Sequence, residues 1–243
     1  MNELADIIEY RGFNINIYND VDPRSPLEEF DMLCTMVCVH NRYYLGHKQY
    51  HNGADAVYHT LHDLCDNLTE RTEEDFNCLS GGEFVEKYML ELEKHAVVLP
   101  LYLYDHSGIT IRTHPFHCPW DSGQVGFAYI SNEKIKSEYG CKYITKKIRE
   151  KVVSVTIGEV ELYDNYLTGM VYGYDIEPKD SNKLIECDDS CWGFYGSDFE
   201  KNGLLEYAKN AIDGAIEAYR EKAKENHNRR RLMARFMSSC WAY

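Results

Sequence analysis

The chain has 243 residues, 44% of them hydrophobic, which is enough for one large domain or two small ones with a sizeable core. Its formal charge is −14, unevenly spread. Residues 226–243 carry four arginines and no acid, which leaves 22 basic and 40 acidic side chains, a net of −18, in the first 225 residues. This balance disfavours a general nucleic-acid binder, which needs a basic face. It is compatible with a basic protein partner or simply with solubility.

The expected location follows from the N-terminus and the cysteines. The opening sequence MNELADIIEYRGF lacks the basic start and apolar run of a secretory signal. No stretch reaches the roughly 18 apolar residues of a membrane span. Nine cysteines at irregular spacing, without an export signal, predict reduced thiols. We therefore expect a cytoplasmic protein with no membrane contact and no structural disulfide.

Hydrophobic periodicity predicts a mixed order of strands and helices in the first part of the chain. Alternating apolar residues predict a strand at Phe13–Tyr18. The short apolar run Met32–His40 is typical of a buried strand, although a helix is also compatible with it. Apolar residues at helical spacing predict amphipathic helices at 54–68 and 83–95. The polar stretch between them, residues 69–82, is expected to be a loop.

The second part of the chain contains the clearest strand signal, Val97–Tyr104. Pro100 within it cannot donate to a ladder, so we place it at an edge or a bulge. Ile109–Arg112 is expected to pair back across a four-residue turn. The other predicted elements are strands at 124–130, 170–176 and 184–195, helices at 132–139, 145–167 and 199–226, and a turn at 178–182.

The order of these elements indicates the fold class. Strands often follow strands, with helices between the groups, which predicts an α+β fold with a largely antiparallel sheet rather than a doubly wound parallel one. The sequence contains no internal repeat and no linker rich in glycine or serine. The simplest expectation is a single α+β domain over residues 1–225, with several flanking helices. Residues 226–243 then form a short basic C-terminal tail.

The segment HPFHCPWDSGQVGFAYIS, residues 114–131, concentrates polar and reactive side chains in one turn-rich region. Two prolines stiffen its backbone, and a stiff loop can hold metal ligands in place. A zinc site is one possibility, with His106, His114, His117 and Cys118 as ligands. The segment lacks the paired CxxC motifs of many zinc sites, and no other cofactor is predicted.

A thiol nucleophile is the second possibility for this segment. Cys118 would need a base, for which His106 is the candidate. The orienting acid would be Asp105 or Asp121. Asp121 is better placed, because adjacent residues such as Asp105 and His106 point to opposite faces of a strand. In the structural alternative, Cys118 and Trp120 pack in the interior and Asp121 caps a turn. The sequence has no GxSxG, P-loop or GxGxxG signature.

Other potential ligands are expected to be structural. His59 and His62 share one face of a predicted helix and form a surface pair, while Cys65 lies too far around the helix to join them. Two CxxxC pairs would span about 13 Å if their segments are strands, which is too far for one metal or one disulfide. These cysteines, Cys34, Cys38, Cys187 and Cys191, are expected to be core thiols.

Three groups of sequence segments resemble known sequences. They are MVCVHNRYYLG (36–46), LPLYLYDHSGITI with CPWDSGQVGFAYIS (99–111 and 118–131), and YDNYLTGMVYGYDIE with DSCWGFYG (163–177 and 189–196). They resemble an uncharacterised family carried by bacteriophages, plasmids and related mobile elements. The resemblance covers most of the chain from about residue 31 to residue 196, and it implies no particular activity.

The resemblance does bear on the choice between the two candidate sites. Sequences of the family tend to read SPFSCPWDSGQ where this chain reads HPFHCPWDSGQ. Cys118 and the run 120–124 match that pattern, whereas His114 and His117 depart from it. The resemblance therefore favours, for an enzyme, a site without those two histidines, built on Asp105, His106, Cys118, Asp121 and Gln124.

Two classes of function remain. The first is a mobile-element accessory protein that inhibits a host defence protein, as an anti-CRISPR or other counter-defence inhibitor, through an acidic surface rich in its 20 tyrosines. Its expected partner carries a basic nucleic-acid-binding surface in the host bacterial cytosol, and no nucleic acid is bound directly. The alternative is a small hydrolase-like enzyme with a Cys/His/Asp or metal site around Asp105–Gln124. If the Trp120 ring is buried, Trp120→Ala should cost about 3–5 kcal/mol.

Overall fold

The computed structural model describes residues 3–65, 69–179 and 184–240, with side chains described as far as residue 234. The backbone divides into two units. We call Met1–Pro23 with Gly169–Tyr243 the terminal unit, and Arg24–Thr168 the inserted unit. The α+β class with largely antiparallel sheets is confirmed. The expectation of one domain over residues 1–225 stays a prediction, and each unit is described by itself.

The secondary structure of the described residues follows the mixed order that periodicity predicted. The strands are β1 (Leu4–Tyr10), β2 (Phe13–Asn19), β3 (Thr35–Val39), β4 (Lys48–Tyr50), β5 (Ala96–Asp105), β6 (Ile109–Arg112), β7 (Ser122–Ser131), β8 (Val171–Pro178) and β9 (Ser190–Tyr195). The helices are α1 (Pro26–Glu29), α2 (Gly53–Leu64), α3 (Glu70–Cys78), α4 (Gly81–His95), α5 (Asn132–Glu138), α6 (Lys146–Leu167) and α7 (Leu204–Cys240).

The inserted unit is a five-stranded sheet covered by helices on both faces. Its strand order is β4-β3-β7-β5-β6, antiparallel except for the β3–β4 pair. One face packs on α5 and α6 through Ile135, Val152 and Val160. The other face packs on α2 and α4 through Phe84 and Leu92. Strand β7 lies at the centre, so its path sets the position of every other strand.

A bulge in β7 lies where this strand approaches β3 most closely. Leu101 of β5 pairs with Gly126, but Tyr102 pairs with Gln124, so Val125 is the extra residue. Gly126 has a φ of +152°, and a Cβ there would lie 2.0 Å from the carbonyl oxygen of Val37. Only glycine allows β3 to pair at this point.

Pro100 lies where the sequence placed it. On one side it is paired with Phe127 of β7, and on the other side the ladder to β6 begins only at Tyr102. The register shift follows directly, between Leu101 and Tyr102. At Pro100, β5 therefore has a strand neighbour on one side only, and the residue lies next to the bulge, as expected.

The terminal unit is a four-stranded antiparallel sheet with α7 packed on one face. Its strand order is β1-β2-β8-β9. Alternate residues of β2, Phe13, Ile15 and Ile17, are fully buried and pack with Leu204 and Ile212 of α7. The predicted strand at 13–18 and the antiparallel return of the 184–195 segment are confirmed, although the returning strand begins only at residue 190.

Several expectations differ from the structure or lie outside it, and one of them is the helix predicted at 54–68, which ends at Leu64. The predicted loop at 69–82 was wrong, because α3 forms there, capped by Thr69 and anchored by Phe76, whose ring stacks 4.1 Å from that of Tyr58. Helix α7 begins at Leu204 rather than residue 199, and it continues to Cys240, so residues 226–240 are helical and not a separate tail. Most of the predicted turn at 178–182 lies outside the described residues.

His47 is an acceptor inside the inserted unit. Its Nδ1 accepts a hydrogen bond from the Met36 backbone N–H at 3.0 Å. Burial lowers the pKa of His47, the charges of Lys134 and Lys48 lower it further, and the charge of Glu159 acts in the opposite direction. The imidazole is therefore held neutral, because protonation of Nδ1 would also remove the acceptor.

Replacing Gly126 with alanine is expected to destabilise the protein by about 3 kcal/mol or more, because the new Cβ overlaps the Val37 carbonyl. Urea unfolding measures the change. The control is Gly158→Ala in α6, where nothing lies within 4 Å of the added Cβ and a gain of about 0.5–1 kcal/mol is expected. Similar midpoints for the two variants would contradict the bulge assignment.

The free energy of unfolding is expected to fall as the pH drops below the unfolded-state pKa of His47, near 6.5. A histidine whose folded-state pKa is lowered stabilises the fold above that value, and the contribution is lost on acidification. His47→Asn retains a side-chain acceptor without the titration. Urea titrations at pH 7 and pH 5 should show a smaller pH dependence in this variant, and an unchanged dependence would exclude the assignment to His47.

Candidate functional site

Three loops of the inserted unit meet at one end of its sheet. They join β3 to β4, β5 to β6, and β6 to β7. The backbone N–H of Asp105 donates to the carbonyl oxygen of Asp121 at 2.9 Å, which ties the second loop to the third. The Tyr43 hydroxyl donates to Asp105 Oδ1 at 3.1 Å, and Arg42 Nη1 lies 3.5 Å from Asp105 Oδ2, which ties in the first. The sequence interpretation missed Arg42 and Tyr43, because their contacts join distant parts of the chain.

Asp121 brings together the thiol and the imidazole that the sequence singled out. Its Oδ2 atom lies 3.8 Å from Cys118 Sγ and 3.3 Å from His106 Nδ1. The carboxylate therefore lies between the other two groups. A thiol nucleophile needs the imidazole next to the sulfur so that the proton can be taken up. The hydrogen bonds among the described residues include none between Cys118 and His106, so the predicted base is not in contact with the predicted nucleophile.

Asp105 and Gln124 have local partners. Asp105 contacts Tyr43 and Arg42 rather than the neighbouring histidine, as expected for adjacent strand residues. The Gln124 side chain donates to the carbonyl oxygen of Gly126 at 3.2 Å, and thus supports the bulge of its own strand. Neither side chain is aimed at the sulfur of Cys118.

The candidate zinc ligands do not form a cluster. In the part of the chain that the structure describes, no three His, Cys, Asp or Glu side chains are arranged to hold a metal ion. His114 and His117 are exposed on the β6–β7 loop. Of the proposed set, His106 and Cys118 approach each other only through Asp121, which was not among those ligands.

The β6–β7 loop is held by an arginine that the sequence interpretation did not single out. Arg112 Nε donates to the carbonyl oxygen of His114 at 3.0 Å, and its Nη2 donates to that of Pro115 at 2.6 Å. The guanidinium also lies 3.6 Å from the centre of the Phe116 ring, which stacks on Tyr104. The Ser122 hydroxyl donates to the Cys118 carbonyl oxygen. Polar contacts, and not burial of a tryptophan, therefore hold the loop in place.

Trp120 is exposed, so the prediction that it anchors the loop by packing was wrong. Its relative exposure is 91%. It borders an open cleft of about 370 Å³ that is also lined by Asp105, Asp121, Gln124 and His40. The cleft thus combines an exposed indole with two carboxylates. A cation that entered the cleft would meet both an aromatic face and negative charge there.

Of the other potential ligands, the two histidines lie at the surface and Cys34, Cys38 and Cys187 are buried, as expected, whereas Cys191 is only partly buried and not the core thiol that was expected. His59 and His62 are exposed on α2, and His59 stacks 5.3 Å from the Tyr50 ring. Cys34 and Cys38 are buried, and burial raises the pKa of Cys38 to about 12. The eight cysteines outside the last helical turns are free thiols. The buried thiols of Cys34 and Cys38 remain protonated and unreactive.

Comparison with protein-family models, with curated proteins and with solved structures finds no match for this chain. Within the described residues, no helix combines the length and the apolar character needed to cross a bilayer.

Substituting Trp120 with alanine is expected to change the free energy of unfolding by less than about 0.5 kcal/mol, because the ring is solvated in the folded state. Phe84→Ala in the same unit removes a fully buried ring and should cost about 3–5 kcal/mol. Urea unfolding compares the two variants. A loss of several kcal/mol in the tryptophan variant would show that its ring is packed.

Proposed function

We propose that the protein is a phage- or mobile-element-encoded inhibitor that binds a host defence protein. The observation that carries the proposal is Trp120, 91% exposed beside the carboxylates of Asp105 and Asp121. Tryptophan is enriched among residues that dominate binding energy, and its exposure at a cleft edge is typical of an anchor. Tyr44, 80% exposed, follows Arg42 and Tyr43 in the β3–β4 loop and is a second solvent-exposed aromatic side chain in these loops.

The charge of the protein supports a basic partner. The first 225 residues carry a net charge of −18. Such a field accelerates association with a positively charged surface, for example the nucleic-acid channel of a CRISPR or other defence enzyme. The attraction falls with salt, because charges are screened over about 8 Å at physiological ionic strength. This acidic surface would exclude nucleic acid from the channel by occupying it, in the host cytosol, without itself contacting nucleic acid.

A lysine or arginine of the partner fits the chemistry of the cleft. Its charge would lie over the Trp120 indole and face the Asp121 and Asp105 carboxylates. Asp105 already has Arg42 nearby, whereas the ionic contact of Asp121 is with His106, which is charged only when protonated. Asp121 is therefore the better acceptor for an incoming cation.

A hydrolase-like enzyme is the second candidate, and one observation favours it. Cys118, Asp121 and His106 converge in a solvent-accessible region, with Cys118 Sγ and His106 Nδ1 both near the same carboxylate oxygen. Turnover would require His106 to move past Asp121 and reach the sulfur. The inhibitor is the better supported function because it requires no rearrangement.

The proposed inhibitor is expected to act at a one-to-one ratio with its target. The partner is captured from bacterial lysate on immobilised protein, purified, and mixed with the protein for gel filtration and inhibition assays. Trp120→Ala and Asp121→Asn should each weaken the purified complex by about 30-fold, as expected for an interface hot spot of 2 kcal/mol. Tyr143→Ala is the control, because this residue is 72% exposed but does not line the cleft.

Stoichiometry separates the two candidate functions. Inhibition at strongly sub-stoichiometric amounts that is lost in Cys118→Ala would establish turnover and reject the inhibitor proposal. Equal losses in the Trp120 and Tyr143 variants would show that the cleft is not the docking surface. An affinity independent of salt would exclude the electrostatic part of the proposal.

A further inference from the structure

Helix α7 extends far beyond the sheet on which it packs. Among the side chains that the structure describes in this helix, as far as residue 234, the last buried one is Ile216. Every side chain from Glu217 to Ala234 is exposed, over about 27 Å of helix. We call residues 217–234 the C-terminal arm. A single helix in water is marginally stable without tertiary contacts, so an exposed segment of this length is a candidate for contact with another molecule.

The arm is basic in a chain that is otherwise strongly acidic. It contains three acids, all before residue 226, and six lysines and arginines: Arg220, Lys222, Lys224, Arg229, Arg230 and Arg231. Among the described side chains, none of these six takes part in an ion pair. Their charges are therefore available to an external anion.

Helical geometry aligns part of this charge along the arm. Arg220, Lys224, His227 and Arg231 are spaced four, three and four residues apart, which places them on one face over about 16 Å. At about 100° per residue, Glu221 and Glu225 lie well outside that face, whereas Glu217 lies beside its proximal end. Arg229 and Arg230 add charge on the remaining sides near its distal end. The result is a rod with positive charges at regular intervals.

The composition of the arm favours a polyphosphate partner over a protein or a membrane. Between residues 220 and 231 it has no large apolar side chain, and its exposed large hydrophobic residues, Tyr219, Leu232 and Met233, lie only at its two ends. A protein interface needs an apolar or aromatic centre, and exposed ion pairs alone contribute little. A membrane-surface helix needs an apolar face. Nucleic acid binds through charge alone, since each neutralised phosphate releases counterions, and arginine pairs with phosphate in a bidentate way.

We propose that the C-terminal arm binds the sugar–phosphate backbone of nucleic acid. The proposal does not depend on the inhibitor function of the cleft in the inserted unit. The expectation that no nucleic acid is bound followed from the charge of the whole chain, and the structure adds that the arginines of residues 229–231 lie on one exposed helix. Binding through phosphates predicts little sequence preference. Duplex DNA and RNA present the same group and are distinguished by experiment.

The test uses the full-length protein and fluorescein-labelled 25-base-pair duplex DNA of arbitrary sequence, with duplex and single-stranded RNA as parallel probes. Anisotropy is measured from 50 to 200 mM salt. Three phosphate contacts, from Arg220, Lys224 and Arg231, predict a slope of about −2.7 in log affinity against log salt, because each contributes about −0.9. Arg229→Gln/Arg230→Gln/Arg231→Gln removes Arg231 from this face, and should reduce the slope by at least about 0.9 and weaken binding about tenfold at low salt.

The matched control removes three positive charges elsewhere. Lys147→Gln/Arg149→Gln/Lys151→Gln changes exposed residues of α6 by the same net charge. It should leave the affinity within about threefold and the slope unchanged. Circular dichroism of each variant checks that the helices are intact. Equal losses of affinity in the two triple variants would show that binding depends only on net charge, and would overturn the proposal.

Further outcomes also decide the question. Failure of the native protein to bind any of the three probes at 50 mM salt overturns the proposal. Arginine-dependent binding to vesicles containing phosphatidylserine, without binding to nucleic acid, would assign the arm to a membrane surface instead. A dimer in gel filtration that is lost only in the arginine variant, again without nucleic-acid binding, would assign it to a second copy of the chain.

Discussion

The antiparallel pairing of β2 with β8 is the constraint on which the chain's organisation depends. It joins Phe13–Asn19 to Tyr172–Pro178, segments separated by most of the sequence. Closing so long a loop carries an entropic cost, which rises only slowly with loop length. Burial of Phe13, Ile15 and Ile17 under α7 opposes that cost. Because Asp20 also bonds to Val171, the chain leaves and re-enters this sheet at neighbouring positions, and residues 24–168 can fold as an insertion.

Within the insertion, the central strand β7 determines where the candidate site lies. Its bulge at Val125 and Gly126 allows the close approach of β3. On the β3 side, the pairing of β7 starts only at Gly126, so residues 122–124 have no strand partner there and line an open cleft. The adjoining loop is held by Arg112 and by the backbone bond between Asp105 and Asp121. A loop fixed by polar contacts does not need an apolar anchor, which is why Trp120 is free to face solvent.

The candidate chemistry was partly predictable from residue types. Cys118, Asp121 and His106 do meet, because β7 pairs with β5, which brings the start of β7 beside the end of β5. The order of the three groups was not predictable, since it depends on side-chain directions that a local sequence pattern does not determine. Arg112 and Tyr43 were missed for a related reason. Their roles are contacts with backbone carbonyls and with Asp105, and no local pattern indicates such contacts.

By itself, the sequence determined the α+β class, most helices and strands, the position of Pro100 and the separation of acidic body from basic end. These properties follow from local periodicity, capping and composition, which act over a few residues. Only the tertiary structure decided that α3 forms, because it depends on the contact of Phe76 with Tyr58. The exposure of Trp120 and the extension of α7 past Ile216 were decided in the same way, because exposure depends on what lies opposite a side chain in space.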